Sequence, residues 1–196
     1  MPASADPGLI GQGEIVLETE RLALRAIADG DAVVQDRVLN TPAVMAHLGG
    51  VKELHEIEAK HTKSMALFKL RGFSFLMVIE RTSGELVGHA GLKLVDHPCA
   101  PNVGDHEIGW LLREDRWRRG YAYEAMVAVI DWAFGRVGAP YVVALTSARN
   151  VGSWKLMQKL AMERRQDLDF TDPAFPDSDN PVIQYALRRE AWESRP

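Results

Sequence analysis

The sequence has only one cysteine, Cys99, among its 196 residues. A single cysteine excludes an intrachain disulfide, and it leaves no cysteine set for a structural zinc site. We therefore expect a reducing compartment and no bound metal. Cys99 lies in the stretch His97–Pro101, which is punctuated by proline and typical of a loop, so we assign it no chemical role.

The sequence also has no apolar run near the ~18 residues that a membrane span needs. Its first residues lack the basic and apolar regions of a signal peptide. These two absences predict a cytoplasmic protein with no membrane partner. Positive charge is not in excess either, because 23 Lys and Arg stand against 27 Asp and Glu, a formal net charge of -4. That balance argues against nucleic acid as the main ligand.

The composition that is present is that of an ordinary globular protein, with 46% hydrophobic and 26% charged residues. Such a length is enough for one α/β domain and short for two. We find no internal repeat and no linker that divides the chain. We therefore predict a mobile leader over residues 1–14, one domain over 15–190 and a charged tail over 191–196.

Hydrophobic periodicity predicts alternating groups of strands and helices. The order is strand, helices, three strands, helix, strand, helix, strand, which predicts a mixed α/β sheet with helices on both faces. Capping and turn residues set the predicted boundaries. The predicted strands are 22–25, 73–80, 86–95, 106–112, 141–145 and 181–187, and the predicted helices start near Asp31, Thr41, Lys52, Trp117 and Asn150.

The most informative stretch is LLREDRWRRGYAYE, residues 111–124. It predicts a strand end, a charged loop and the first turn of a long helix. That turn has free backbone N–H groups and the positive end of the helix dipole, and Gly120 has no Cβ to obstruct an anion. The nearby arginines add charge, so the pattern indicates a phosphate site. Arginines at a helix start are as often solvated surface, and the residues alone leave both interpretations open.

Residues 117–122, Trp-Arg-Arg-Gly-Tyr-Ala, resemble the acetyl-CoA-binding motif of GNAT acetyltransferases, Gln/Arg-x-x-Gly-x-Gly/Ala. The tryptophan departs from the general motif and is similar to the RimJ/RimL-like branch, W-x-x-G-Y-A-x-E-A. Upstream, residues 107–110 resemble the E-I-G-Y segment of that branch. Downstream, residues 150–162 resemble its N-x-x-S…K-x-G-F segment. The resemblance extends from about Thr19 to Leu187.

The resemblance implies a GNAT-like fold, a central and mostly antiparallel twisted sheet with helices on both faces. It also implies acetyl-CoA as co-substrate, an amine as acceptor and a possible homodimer. The branch includes enzymes for protein N-terminal amines, ribosomal proteins among them, and enzymes for small amines such as aminoglycosides or polyamines. The implied contacts for acetyl-CoA are the backbone of Trp110, Leu111 and Leu112, then Trp117, Arg118, Arg119, Gly120, Tyr121 and Ala122, and finally Asn150 and Ser153.

Acetyl transfer needs a neutral amine and therefore favours a general base. Glu107 is our candidate, acting directly or through a water; the alternative is a solvated carboxylate or an ion-pair partner. Its neighbour His106, the second candidate, points to the other face of a regular strand. Many family members have a tyrosine that donates a proton to the leaving thiolate. The corresponding residue here is Met157, which cannot donate a proton. Ser153 is then the candidate acid, unless the thiolate leaves unassisted.

Two other interpretations stay open, a non-catalytic acyl-CoA-binding sensor and, less favoured by the charge, a nucleic-acid-binding domain. The acidic loop over residues 167–179 could attract a cationic acceptor, or it could simply be solvated. Ala161 stands where the family has glycine, so we expect local strain if its φ is positive.

Overall fold

The computed structural model describes residues 13–195. Within them, eight strands form one sheet in the spatial order β1-β2-β3-β4-β5-β6-β8-β7. Every neighbouring pair is antiparallel except β5 and β6, which are parallel. The strands are β1 (Ile15–Glu18), β2 (Leu22–Arg25), β3 (Phe75–Glu80), β4 (Leu86–Leu94), β5 (His106–Leu112), β6 (Tyr141–Ser147), β7 (Glu163–Arg164) and β8 (Val182–Arg188). The predicted mixed, mostly antiparallel sheet is confirmed.

Helices cover both faces of the sheet, because the strands alternate their apolar side chains between two cores. Leu76 and Val78 of β3 pack in the main core with Val129, whereas Met77 between them packs with Leu39 on the other face. No helix over the described residues 13–195 is long and apolar enough to cross a membrane. The helices are α1 (Asp31–Leu39), α2 (Leu54–Arg71), α3 (Tyr121–Trp132), α4 (Val151–Lys159) and α5 (Arg189–Glu193).

Several boundaries differ from the prediction. The segment after Thr41 is a series of turns and not a helix, and it ends where Gly49 and Gly50 both take a positive φ. Strands β1, with four residues, and β7, with two, were not predicted. Residues 1–12 of the predicted leader lie outside the described part of the chain.

The C-terminal residues continue the domain past the predicted boundary at residue 190. Helix α5 crosses that boundary, and Trp192 is only 6% exposed within the main core. Its indole Nε1 donates a hydrogen bond to Asp131 Oδ1 at 2.7 Å. The sequence did not indicate that these residues pack on the domain, because Trp192 is the only large apolar side chain among charged neighbours.

The feature that positions the site is the divergence of β5 and β6. Strand β5 pairs with β4 along its whole length, from His106 to Leu112. On its other edge it pairs with β6 only at Glu107, opposite Val143. No other strand among residues 13–195 pairs with the rest of this edge of β5, so a cleft opens between the two strands.

Candidate active site

The cleft between β5 and β6 has a volume of about 1040 Å³. Its walls are β5, the loop that leads into α3, the end of β6, the first turns of α4 and the segment 43–48. All of the predicted site residues except Arg119 line it. Those that line it are Glu107, Trp110, Leu111, Leu112, Trp117, Arg118, Gly120, Tyr121, Ala122, Asn150 and Ser153.

The chain enters α3 through an unusual backbone turn. Arg118 has φ 60° and Gly120 has φ 83°, both in the left-handed region. For a residue with a side chain this conformation costs about 1–2 kcal/mol, and such strain is concentrated at functional sites. The amide of Glu124 donates to Gly120 O at 3.0 Å and begins the helical ladder. The N–H groups before it have no such partner and form the positive end of the helix.

The tryptophan of the motif holds this loop in place. Trp117 Nε1 donates a hydrogen bond to Leu112 O at 2.8 Å. Because Leu112 is the last residue of β5, the contact closes the loop between strand and helix. The indole itself is 45% exposed and forms part of the cleft wall.

The arginine cluster is not one block of free positive charge. Arg113 Nη1 lies 3.0 Å from Glu85 Oε2, and Arg116 Nη2 lies 2.8 Å from the same oxygen. Both also pair with Asp115 at 3.0 Å. Arg118 has no ion pair within residues 13–195 and lines the cleft. Of the arginines near the helix start, Arg113 and Arg116 therefore stabilise the loop and add no free charge to the phosphate site that the sequence indicates.

A second anchor of the helix start comes from the first hairpin. Arg21 Nε lies 2.6 Å from Glu124 Oε2, and the Arg21 amide donates to Glu124 Oε1 at 2.9 Å. Arg21 Nη1 also donates to Arg119 O at 2.9 Å. Burial raises the pKa of Glu124, but the hydrogen bonds from Thr19 and Arg21 outweigh it and hold that pKa below its usual value. The motif contained Glu124, but nothing in the sequence identified Arg21 as its partner.

Glu107 occupies the point where the two strands diverge. Its side chain is 14% exposed, and Lys93 Nζ lies 3.2 Å from its Oε2. Burial raises the pKa of the Glu107 carboxyl above its usual value, and the Lys93 ammonium opposes the shift without cancelling it. His106 lies on the other face of β5, where its ring is 5.7 Å from that of Phe73. The alternation expected of the strand therefore places Glu107, and not His106, in the cleft.

The opposite wall is the start of α4. Asn150 caps the helix, because its Oδ1 accepts a hydrogen bond from Ser153 N at 3.3 Å. Asn150, Ser153 and Met157 all line the cleft, and Met157 is only 1% exposed. The prediction of an Asn150 cap is confirmed. At the other end of α4, Ala161 has φ 60°, so the strain expected at this position is present.

The acidic loop is engaged in ion pairs with its own surroundings. Asp167 Oδ2 lies 2.7 Å from Arg165 Nη2, and Asp169 pairs with Arg164. Each of the two buried acids faces a histidine: Asp172 is 3.1 Å from His97, and Asp179 is 3.1 Å from His47. These carboxylates stabilise the loop, and none of the four lines the cleft.

Comparison with known proteins identifies the class first. An acetyltransferase from Agrobacterium tumefaciens str. C58 has a solved structure that is similar with a TM-score of 0.72 and 29% identity, covering 92% of this chain and 98% of its own. The N-acetyltransferase YoaA of Bacillus subtilis (strain 168) is 25% identical over 151 residues, which are 76% of this chain and 83% of YoaA. The ribosomal L7/L12 N-acetyltransferase RimL, solved with coenzyme A, shares the fold with a TM-score of 0.71 at 16% identity, covering 91% of this chain and 99% of RimL.

The fold and these relatives define the protein as an acetyltransferase. The family model of the acetyltransferase (GNAT) domain matches residues 21–163, well over half of the chain. The chain belongs to the GNAT acetyltransferase family and is an N-acetyltransferase.

Proposed function

We propose that the protein transfers an acetyl group directly from acetyl-CoA to a primary amine. The observation that carries the proposal is the meeting of three features in one cleft. They are the unpaired edge of β5, the positive end of α3 at Gly120 and the carboxylate of Glu107. An unpaired strand edge can bind an extended chain of amides, and the start of a helix can bind phosphate. A carboxylate with a raised pKa can accept a proton from the amine.

The residues of the cleft fit coenzyme A. The unpaired backbone from Trp110 to Leu112 offers hydrogen bonds to the amides of the pantetheine arm. The amides from Arg118 to Ala122, with the Arg118 side chain, suit the pyrophosphate. Asn150 and Ser153 line the cleft from α4, where they suit the thioester end. When bound, acetyl-CoA supplies the activated acyl group.

Glu107 is the proposed general base. The amine loses its proton to the carboxylate, directly or through a water, and its nitrogen then forms a bond to the acetyl carbon as the C–S bond breaks. The raised pKa of Glu107 makes the carboxylate a better proton acceptor than an exposed one. Lys93 at 3.2 Å holds the carboxylate in place and stabilises it between turnovers.

The departing sulfur takes up a proton to complete the reaction. Met157 has no proton to give, so we propose that Ser153, a residue of the cleft lining, donates its hydroxyl proton to the sulfur and takes up the second N–H proton, which the nitrogen loses as the amide forms. Because the pKa of a thiol is near 8.5, departure as thiolate also costs little at neutral pH.

The motif likeness to the RimJ/RimL branch supports an acceptor amine at a protein N-terminus, and the same branch includes enzymes for small amines. A homodimer and a cytoplasmic location stay predictions. The second candidate function is a sensor that binds acyl-CoA without transfer, which the buried Met157 favours.

The test is release of CoA thiol from acetyl-CoA over a broad amine panel, with acetyl-CoA binding measured by calorimetry. We expect turnover, and we expect Glu107→Gln to slow it more than tenfold. Glu58→Gln, which removes an exposed carboxylate on α2, is the matched control and leaves the rate unchanged. Binding without turnover would favour the sensor, and absence of binding would overturn both functions.

A further inference from the structure

The cleft carries very little negative charge for an amine-binding site. Among the described residues that line it, Glu107 is the only carboxylate, and it is already paired with Lys93. Four of the five aspartates of the loop 167–179 are paired with Arg164, Arg165 and two histidines, and the fifth, Asp177, does not line the cleft. The cationic side chains in the lining are Arg116, which is paired with Glu85, and Arg118, Arg149, Lys155 and Lys159. A polyamine or aminoglycoside needs several carboxylates, so this lining opposes it.

An aromatic pair lies beside Glu107 on the same face of the sheet. The rings of Phe75 and His89 are stacked, with centroids 5.3 Å apart and an interplanar angle of 30°. A Cβ built on Gly109 would lie 2.9 Å from Phe75 Cζ, so the phenyl ring extends over β5 where that glycine leaves room. Gly109 follows Glu107 by two residues, a spacing of ~7 Å along a strand.

This pair carries no charge at neutral pH. Burial lowers the pKa of His89 to about 4, and Lys60 and the protonated form of His61 act in the same direction. A neutral imidazole on a phenyl ring presents a flat apolar surface. The cleft lining also includes the apolar side chains of Ala43, Ala46 and Leu48. The surroundings of Glu107 therefore favour an apolar group of ring size over a second charge.

We infer that the acceptor is a monoamine whose single amino group is joined to an apolar, ring-sized substituent that packs on Phe75 and His89. This inference rests on the proposed function. The ring of the substrate packs on Phe75 and His89 and thereby holds the amino nitrogen near Glu107. The apolar contact also lowers the pKa of the bound ammonium, because desolvation disfavours its charged form. The ammonium proton goes to Glu107, the N–C bond then forms as the C–S bond breaks, and the second N–H proton passes to the departing sulfur.

Two kinds of molecule join one amino group to a ring-sized apolar substituent. One is a free arylalkylamine, and the other is a peptide whose first residue has an aromatic side chain. The experiment measures kcat/KM with acetyl-CoA for 2-phenylethylamine, ethylamine, spermidine and two peptides that differ only in an N-terminal Phe or Asp. We expect 2-phenylethylamine or the Phe peptide to exceed spermidine at least tenfold, and the better of the two identifies the source. Equal or faster turnover of spermidine would overturn the inference while supporting acetyl transfer.

A substitution tests the aromatic pair itself. Phe75→Leu keeps an apolar side chain but removes the ring, so we expect KM for the aromatic amine to rise about fivefold and the values for ethylamine to stay within about twofold. Phe75→Tyr restores the ring and should restore KM. Phe68→Leu, a half-buried phenylalanine on α2 outside the cleft, is the matched control. An equal loss for every amine would contradict the inference.

Failure of the inference and failure of the proposed function give different results. If no amine on the panel releases CoA thiol, acetyl transfer and the acceptor assignment both fall. Calorimetry of 2-phenylethylamine with the CoA-saturated protein gives a readout without turnover. We expect binding that weakens in Phe75→Leu and not in Phe68→Leu; absent or unchanged binding would overturn the aromatic site.

Discussion

Arg21 and Glu124 join the first hairpin of the protein to the first turn of α3. Arg21 Nε lies 2.6 Å from Glu124 Oε2, and its Nη1 donates to Arg119 O at 2.9 Å. The guanidinium therefore binds the helix and the loop before it at the same time. The phosphate site proposed at this helix start needs amides that keep their places, and this pair supports them from outside the cleft.

The first prediction concerns the stability that this pair provides. Glu124→Gln is expected to lower the free energy of unfolding by about 2 kcal/mol at neutral pH, because it removes a charged partner from a half-buried hydrogen-bond cluster. The pKa of Glu124 is lowered in the folded state, so its stabilisation is full above the unfolded pKa and is lost as pH falls through the folded value. Urea unfolding at several pH values measures this difference, which should shrink in acid. If the difference in unfolding free energy did not change with pH, the ionised Glu124 carboxylate would not be the source of the stabilisation.

The second prediction concerns Gly120 and the phosphate site. Gly120→Ala places a Cβ at a φ of 83°, 3.3 Å from Arg21 Nη2. We expect the Kd for CoA to rise more than tenfold, because the strained helix start shifts and its amides are partly covered. Gly104→Ala is the control, since its φ is 96° with nothing within 4 Å of the added Cβ. Both variants should lose about 1 kcal/mol of stability, and only Gly120→Ala should lose affinity in calorimetry.

The third prediction concerns the pH dependence of the rate. Glu107 must be ionised to accept a proton, so activity falls as pH drops through its raised pKa. Lys93→Met removes the positive charge that opposes the shift, so the acidic limb of the rate profile should move to higher pH. Glu107→Gln should lose this limb altogether. Measurement of kcat against pH with one amine tests both variants, and an unmoved limb in Lys93→Met would argue against Glu107 as the base.

The fourth prediction concerns Ala161 at the end of α4. Its φ of 60° is costly for alanine and free for glycine. Ala161→Gly should therefore raise the free energy of unfolding by about 0.5–1 kcal/mol, the strain relieved less the extra chain entropy of glycine. The control is Ala66→Gly on the exposed face of α2, where the same substitution should lower the free energy of unfolding by about 1 kcal/mol. Thermal unfolding of the two variants gives the comparison.

The local pattern of the sequence determined most of the framework. Strand β5 was predicted with the bounds that the structure has, His106–Leu112, and the Asn150 cap of α4 was predicted as well. Both features follow from neighbours a few residues apart, the alternation of a strand and the reach of a capping side chain. The motif around Gly120 likewise lies within one turn, so it was visible in the sequence before any folding was considered.

Only the tertiary structure decided which charges are free and which side chains meet. Arg113 and Arg118 look alike in the sequence, yet Arg113 is bound to Glu85 and Arg118 faces the cleft. Phe75 comes to lie over Gly109 through the register of three strands. The physical reason is that sequence periodicity records how deeply a residue is buried, whereas its partner depends on strand register and on the chain segment that returns beside it.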